Sequence, residues 1–342
     1  EFGELEGHTM VVIKALYGLK MSAACWHDRL HEVLREMGFF PCKVEPDIWL
    51  RRNEDHYEYI AVYVDDLAIA SKNPQSIIDD FERRYKFKLK GTGPIKNHLG
   101  MVFFRDEDGV LCASAKSYVD RLEVNYERMF GSKPAKNMHS PLEKGDRPEL
   151  DTTDLCELDD IVKYQSLIGM MQWSISIGRM DIQVAVMSLS SYRQQPRKGH
   201  LERAKRIAGY LCKFRNATIR FRVEEPDYSD IPDAMYDWSK SVYDNPKEEI
   251  PKDAPEPLGK YVTQTTFKDA NLCHNIVNGK AVTGVLHFFN QTPMDSYAKL
   301  QATVETATYG SEFSSARTAT EQMVGHRMLL RYLGVPVREQ MF

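Results

Sequence analysis

Apolar residues along this chain keep a helical period in some stretches and a strand period in others, and the switches between the two mark its elements. From Ser22 to Met37, the residues Trp26, Leu30, Val33, Leu34 and Met37 recur at i, i+4, i+7, i+8 and i+11. That spacing puts them on one helix face, expected in the core. Ser22 can cap the start of this helix and Gly38 its end. Tyr57 to Val64 is apolar and rich in strand formers, Asp65 and Asp66 interrupt it, and Leu67 to Ala70 resumes it. Strand, acidic turn, strand is the simplest reading. Asn73-Pro74 has the cap-then-proline form of a helix start, with Ile77, Ile78, Phe81 and Tyr85 as its core stripe. A second hairpin is expected from Val102 to Arg105 and Val110 to Ala113 around Asp106-Glu107-Asp108-Gly109.

Helical patterning continues from Ser114 to Met129 and returns from Val162 to about Phe214. Between them, residues 131–160 are rich in Pro, Gly, Asp and Lys, the composition of a linker between domains. Glu224 to Pro257 is acidic and carries prolines, as expected of a long surface loop or insertion. Lys260 to Phe267, Ala281 to Asn290 and Asp295 to Val304 read as three strands, and Tyr309 to Leu333 as one long helix. The fold class expected is α+β, and no fixed-period repeat is visible.

At 342 residues the chain has room for roughly two domains, each with its own core. No stretch approaches the ~20 uninterrupted apolar residues of a membrane span. The first residues, Glu1-Phe2-Gly3-Glu4, have neither an initiator Met nor a signal-peptide pattern, which reads as an internal piece of a longer protein. Six scattered cysteines (Cys25, Cys42, Cys112, Cys156, Cys212, Cys273) form no C-x-x-C pair. They argue against a cysteine zinc site or a disulfide framework and for a reducing, intracellular setting.

The net charge of −4 conceals an asymmetry. Between Tyr192 and Arg222 ten basic residues (Arg193, Arg197, Lys198, Arg203, Lys205, Arg206, Lys213, Arg215, Arg220, Arg222) face one acid, Glu202. Such a block is the footprint of a phosphate-backbone contact, and equally that of a solvated helix face. Arg193, Arg197, Lys198, Lys205 and Arg206 are its candidate nucleic-acid contacts.

Aspartates are poor strand residues and costly to bury unpaired, so an apolar hairpin with two at its tip usually holds them for a cation. Asp65 and Asp66 therefore suggest hard-oxygen ligation of Mg²⁺ with its phosphates. Nucleotidyl transfer uses two such ions about 3.5–4 Å apart, and a further carboxylate from another strand is needed to complete the site. On local sequence alone, an exposed acidic turn reads as well. Lys20 and Ser22, at the expected helix start, are candidates for the vicinity of an incoming nucleotide or template, or a plain helix cap.

The motifs around this hairpin resemble a known family. Lys14-Ala15-Leu16-Tyr17-Gly18-Leu19-Lys20-Met21-Ser22 with Trp26, then Tyr63-Val64-Asp65-Asp66, then Leu99-Gly100-Met101, is similar to the reverse transcriptases of copia-type long-terminal-repeat retrotransposons. Tyr164-Gln165-Ser166-Leu167-Ile168-Gly169, Gly178-Arg179-Met180-Asp181-Ile182 with Ala185-Val186, then His200, Ala204-Lys205-Arg206 and Tyr210-Leu211 continue the resemblance in order. Phe267-Lys268-Asp269-Ala270-Asn271 resembles the first acidic strand of the family's ribonuclease H domain, and Thr303 to Phe313 the entry to its first helix. The resemblance implies a partial polymerase palm and start of the thumb over 1–130 and a linker with helical thumb or connection over 131–225. An acidic insertion over 226–258 and a partial ribonuclease-H-like α/β domain over 259–342 follow.

It further implies Asp65, Asp66, Asp269 and Glu312 as catalytic, metal-holding carboxylates with Mg²⁺ or Mn²⁺, and an RNA template, a DNA primer, an RNA–DNA hybrid and dNTPs as partners. Relatives draw one palm Asp from upstream and one ribonuclease H Asp from a strand just past the long helix, so both sites are expected to be incomplete within these residues. Met21, Ala23 and Lys268 depart from the family pattern. Alternation along the strand is expected to point Lys268 away from the acidic site. A catalytically inactive nucleic-acid-binding remnant is the alternative reading, and on local sequence Asp269 and Glu312 fit surface acids equally well.

Overall fold

The computed structural model describes residues 7–9, 18–230, 240, 242 and 248–338. Lys14 to Tyr17 of the first motif, part of the acidic stretch (231–239, 241 and 243–247) and the last four residues lie outside them. By internal contact the chain divides into two compact units, Glu1–Gly93 with Tyr332–Gly334, and Pro94–Arg331 with Val335–Phe342. The boundary thus falls at residue 93, not in the segment whose composition marks a linker.

In the first unit, helix α1 (Ser22–Glu36) precedes an antiparallel meander of β1 (Phe40–Pro41), β2 (Ile48–Asn53), β3 (His56–Tyr63) and β4 (Asp66–Ala70). Its N-cap is Met21, with no side-chain cap, so Ser22 opens the helix instead of capping it. Gly38, at φ +83, closes the other end as expected. Helix α2 (Pro74–Asp79) runs on into a π turn, Asp80–Arg84. Leu30, Val33 and Leu34 of α1, Trp49 of β2, Ile60 of β3, and Ile77 and Phe81 make the core, all at most 1% exposed. Trp26 departs from its predicted place in that stripe: it is 36% exposed.

In the second unit, β5 (Asn97–His98), β6 (Met101–Arg105) and β7 (Leu111–Ser114) form a meander that β8 (Thr218–Arg220) joins beside β7. Helices α3 (Lys116–Phe130), α4 (Leu158–Ser176), α5 (Gln183–Ser190) and α6 (Lys198–Lys213) pack around Leu122, Tyr164, Leu167, Ile168, Leu189 and Ile207. From Ala135 to Cys156 the segment between α3 and α4 touches α6 or the turn before it at several points. A Cβ added at Gly209 would strike the carbonyl of Ala135, and one at Gly199 the carboxylate of Asp151. His200 reaches the Pro148 carbonyl at 2.8 Å.

A three-stranded antiparallel sheet follows, β9 (Gln264–Asn275), β10 (Lys280–Phe289) and β11 (Thr292–Leu300), then helix α7 (Thr308–Tyr332). Past α7 the chain turns back, and Val337 pairs in parallel with Val262, just ahead of β9. Two acids of the acidic stretch reach this layer: Glu248 takes Arg327 and Arg331 of α7, and Glu225 takes Arg338. Among the described residues no helix is long and apolar enough to cross a membrane, and all six cysteines are free.

Candidate active site

Asp65 and Asp66 sit at the tip of the β3–β4 hairpin, exposed, with Tyr63 paired across to Asp66. The loop is therefore two residues, Val64 and Asp65. Val64 has φ +58 while Asp65 stays at negative φ, the φ signature of a type II′ turn, whose first central position normally takes Gly. A β-branched residue there is a backbone outlier, with a cost of order 1–3 kcal/mol. The turn is held from outside: the Trp26 indole N–H of α1 donates to the Val64 carbonyl at 2.9 Å. Trp26 in turn meets Phe87 edge-on at 5.4 Å. Sequence reasoning placed Trp26 in the core and missed this role. A Val in the first central position of a two-residue loop was the available signal, since it demands an outside restraint.

Among the described residues neither Asp65 nor Asp66 has an ion-pair partner. Lys20 is exposed and Ser22 partly buried at the start of α1, the helix that carries Trp26. The tip thus offers two unneutralised carboxylates on a rigid, strained turn, the donor chemistry that suits a hard dication.

The second pair of acids is arranged differently. Asp269, on β9, is exposed, and its carbonyl accepts from Ser315 of α7 at 3.0 Å. Glu312 of α7 accepts from the Ala270 amide at 3.3 Å. Its other carboxylate oxygen lies 2.6 Å from the Lys268 ammonium. Lys268 is therefore not turned away from the acidic site as predicted. Alternation puts Lys268 and Ala270 on one strand face, and α7 covers that face, so Lys268 meets Glu312. The Lys268 contact holds the Glu312 carboxyl below the usual carboxylate range.

The basic block is largely matched by acids from elsewhere in its unit. Lys198 pairs with Asp154 at 3.1 Å, Lys205 with Glu202 at 2.8 Å and Arg206 with Glu143 at 2.8 Å. Arg203 forks onto Asp146 and Asp151, which raises its already high pKa, chiefly through Asp146. Arg197 donates to the Thr153 carbonyl and Arg193 to the Ser190 carbonyl. Of the five predicted contacts, only Arg193 and Arg197 have no carboxylate partner among the described residues. A cavity of about 360 Å³ in this unit, lined by Met101, Ile175, Met180, Met294 and Asp295 among others, contains none of the predicted site residues.

Residues 3–135 match the family model described as reverse transcriptase (RNA-dependent DNA polymerase). The transposon Ty5-1 protein of Saccharomyces cerevisiae is 30% identical over 209 residues, 60% of this chain and 66% of that protein. The retrovirus-related Pol polyprotein from transposon TNT 1-94 of Nicotiana tabacum is 24% identical over 335 residues, 95% of this chain and 22% of the polyprotein. That from transposon RE1 of Arabidopsis thaliana is 28% identical over 209 residues, 60% of this chain and 14% of the polyprotein. The chain therefore spans less than a quarter of either plant polyprotein. No solved structure matches it.

Proposed function

Since the chain belongs to the copia-type retrotransposon polyproteins that carry a reverse transcriptase, we propose that it supplies the metal-holding hairpin of RNA-directed DNA polymerisation, with Asp65 and Asp66 as the acting carboxylates. The observation that carries this reading is the tip itself: two exposed acids, unpaired among the described residues, on a turn whose strained Val64 is pinned by Trp26. A rigid turn holds the carboxylates where charge develops without reorganisation at the moment of reaction. Mg²⁺ or Mn²⁺, when bound there, would stabilise the attacking 3′-oxygen and the leaving pyrophosphate. Asp65 and Asp66 would hold it, and Lys20 and Ser22 at the start of α1 would face the nucleotide or template. In this reading the first unit holds the palm, and β5 to β8 with α3 to α6 serve as thumb and connection. Arg193 and Arg197 keep the charge for backbone contacts that carry affinity without sequence preference.

The test is primer extension. A polyprotein carrying this chain, given an RNA template, a DNA primer and dNTPs, should extend the primer in Mg²⁺ or Mn²⁺. Binding of primer and template with no extension in either metal would sink the proposal and leave the inactive nucleic-acid-binding reading.

For the last 80 or so residues, roughly one small α/β layer in size, the proposed assignment is ribonuclease-H-like, with Asp269 and Glu312 as the retained acids. Three antiparallel strands, a long helix and a parallel return beside the first strand support it. Glu312 does not fit a metal as it stands, because Lys268 already neutralises it, so no step is derived through that pair. Lys268→Ala should move the Glu312 pKa up toward the ordinary glutamate value, as read by carboxyl NMR titration. An unchanged titration would mean that Lys268 does not govern this carboxylate.

A further inference from the structure

His27 and His31 lie one turn apart on α1, on the same helix side, with ring centroids 3.6 Å apart. Asp47, at the entry to β2, brings a carboxylate to them, and one ligand atom from each of the three lies within 4.8 Å of the others. The aspartate is anchored, because its carbonyl accepts from the Val62 amide at 2.8 Å. His31 is backed by Trp49 at 4.8 Å, and its Nε2 is buried without a hydrogen-bond partner among the described residues. A buried ring nitrogen with nothing to bond is a costly feature that a ligand would relieve.

A second trio, His287, Asp295 and His326, is equally close, yet its nitrogens are occupied. His287 bonds Thr266 at 2.8 Å and Gln322 at 3.1 Å, and His326 bonds Gln264 at 3.3 Å and Asp295 at 3.3 Å. All four of its ring nitrogens are engaged. The α1 trio is the one with an idle donor atom and an open, exposed side.

We propose that His27, His31 and Asp47 form a Zn²⁺ site, with water completing the shell, that ties the middle of α1 to the entry of β2. Two imidazoles and one carboxylate are a borderline donor set that suits Zn²⁺ over Mg²⁺ or Ca²⁺. Zinc bonds of about 2.0–2.2 Å place tetrahedral ligand atoms roughly 3.3 Å apart, so the three groups close in by side-chain rotation. Burial, with His27 and Arg35 nearby, lowers the His31 pKa, which keeps the ring in the neutral form that ligates. The cysteine spacing that argues against zinc is silent on this site, since no cysteine belongs to it.

The site is independent of the polymerase reading, and its test uses Zn²⁺ and Co²⁺ alone with the full chain. One Co²⁺ per chain should bind with tetrahedral visible absorption, be displaced by Zn²⁺, and raise the unfolding temperature. His27→Ala and Asp47→Asn, both at exposed positions, should each weaken binding at least ~10-fold, the scale of losing support to a metal. His31→Ala also removes packing on Trp49, so it does not carry the test. Absence of binding overturns the proposal. So does binding that survives both variants, or binding that His326→Ala abolishes while His27→Ala leaves it intact.

Discussion

Asp66→Asn, and separately Asp65→Asn, should each cut metal-dependent primer extension by at least about 10²–10³-fold in a polyprotein carrying this chain. That is the scale of removing one preorganised electrostatic group from a reacting centre. The amide keeps the shape of the side chain and loses its charge, so it is a poor substitute for a carboxylate on a hard dication. Folding should not move. Both residues are exposed and unpaired among the described residues, and such substitutions fall within about ±0.5 kcal/mol. The pair of readouts separates chemistry from structure: extension lost, with the melting curve and primer-template binding unchanged. Extension near wild-type level in either variant would remove Asp65 or Asp66 from the proposed site.

How much of this was legible beforehand depends on the range of the interaction. The β3–β4 hairpin, α2, the second hairpin and α3 stand within about two residues of where hydrophobic period and turn residues put them, because those signals are local. The first hairpin, however, turns at Val64-Asp65 and not at Asp65-Asp66, and the single helical stretch read from Val162 to Phe214 is divided into α4, α5 and α6. Strand β9 runs on to Asn275 and so takes Asp269 into the sheet, where period alone ended it near Phe267. What was not legible is what distant residues do to one another. Ten basic residues against one acid looked like a phosphate footprint, yet Asp106, Asp108, Asp120, Glu123, Glu143, Asp146, Asp151 and Asp154 return to neutralise most of that charge. A charge count over a window cannot register partners some 40 to 110 positions away.

The same limit explains the segment 131–157. Pro134, Pro141 and Pro148 with Gly131 and Gly145 break any long helix there, which composition reads as a linker, but the Ala135 carbonyl is laid on α6 at Gly209 and the Asp151 carboxylate at Gly199. Lack of regular structure is a local property, and lack of packing is not. Trp26 and Lys268 were misplaced for a related reason. Periodicity assigns a side chain to a face and says nothing of what covers that face, here the Val64 carbonyl for one and Glu312 of α7 for the other.

Arg51→Ala should cost about 3–5 kcal/mol at neutral pH, the scale of leaving one partner of a buried ion pair alone. Glu58 is 2% exposed on β3, an interior strand of the first unit's sheet. Its directly opposed neighbour Arg51 donates at 2.8 Å, and the Ser71 hydroxyl at 2.6 Å. Arg51 also donates to the Met37 carbonyl at 3.0 Å and covers the Phe39 ring at 4.5 Å, so it joins α1's end to β2. Arg51 is itself 24% exposed, and solvent screening of that end favours the lower part of the range.

Burial pushes the Glu58 carboxyl up, but the bonds from Ser71 and Arg51 outweigh it and hold the group below the ordinary value of 4.5. A depressed carboxylate pKa means stability that is fully present above the unfolded value and lost as pH falls through the folded one. The wild-type chain should therefore weaken below about pH 4.5, the unfolded carboxylate region. Arg51→Ala should behave in the opposite sense relative to it. Without the guanidinium, protonation removes the stranded charge, so the deficit narrows as the medium turns acidic. Glu58→Gln, which never carries the charge, should be the milder variant at neutral pH and lack this pH response. Urea unfolding of the three proteins at pH 7 and pH 4 measures all of it. An Arg51→Ala deficit under about 1 kcal/mol at pH 7, or one that does not shrink at pH 4, would mean that this pair does not hold the sheet that carries the Asp65–Asp66 tip.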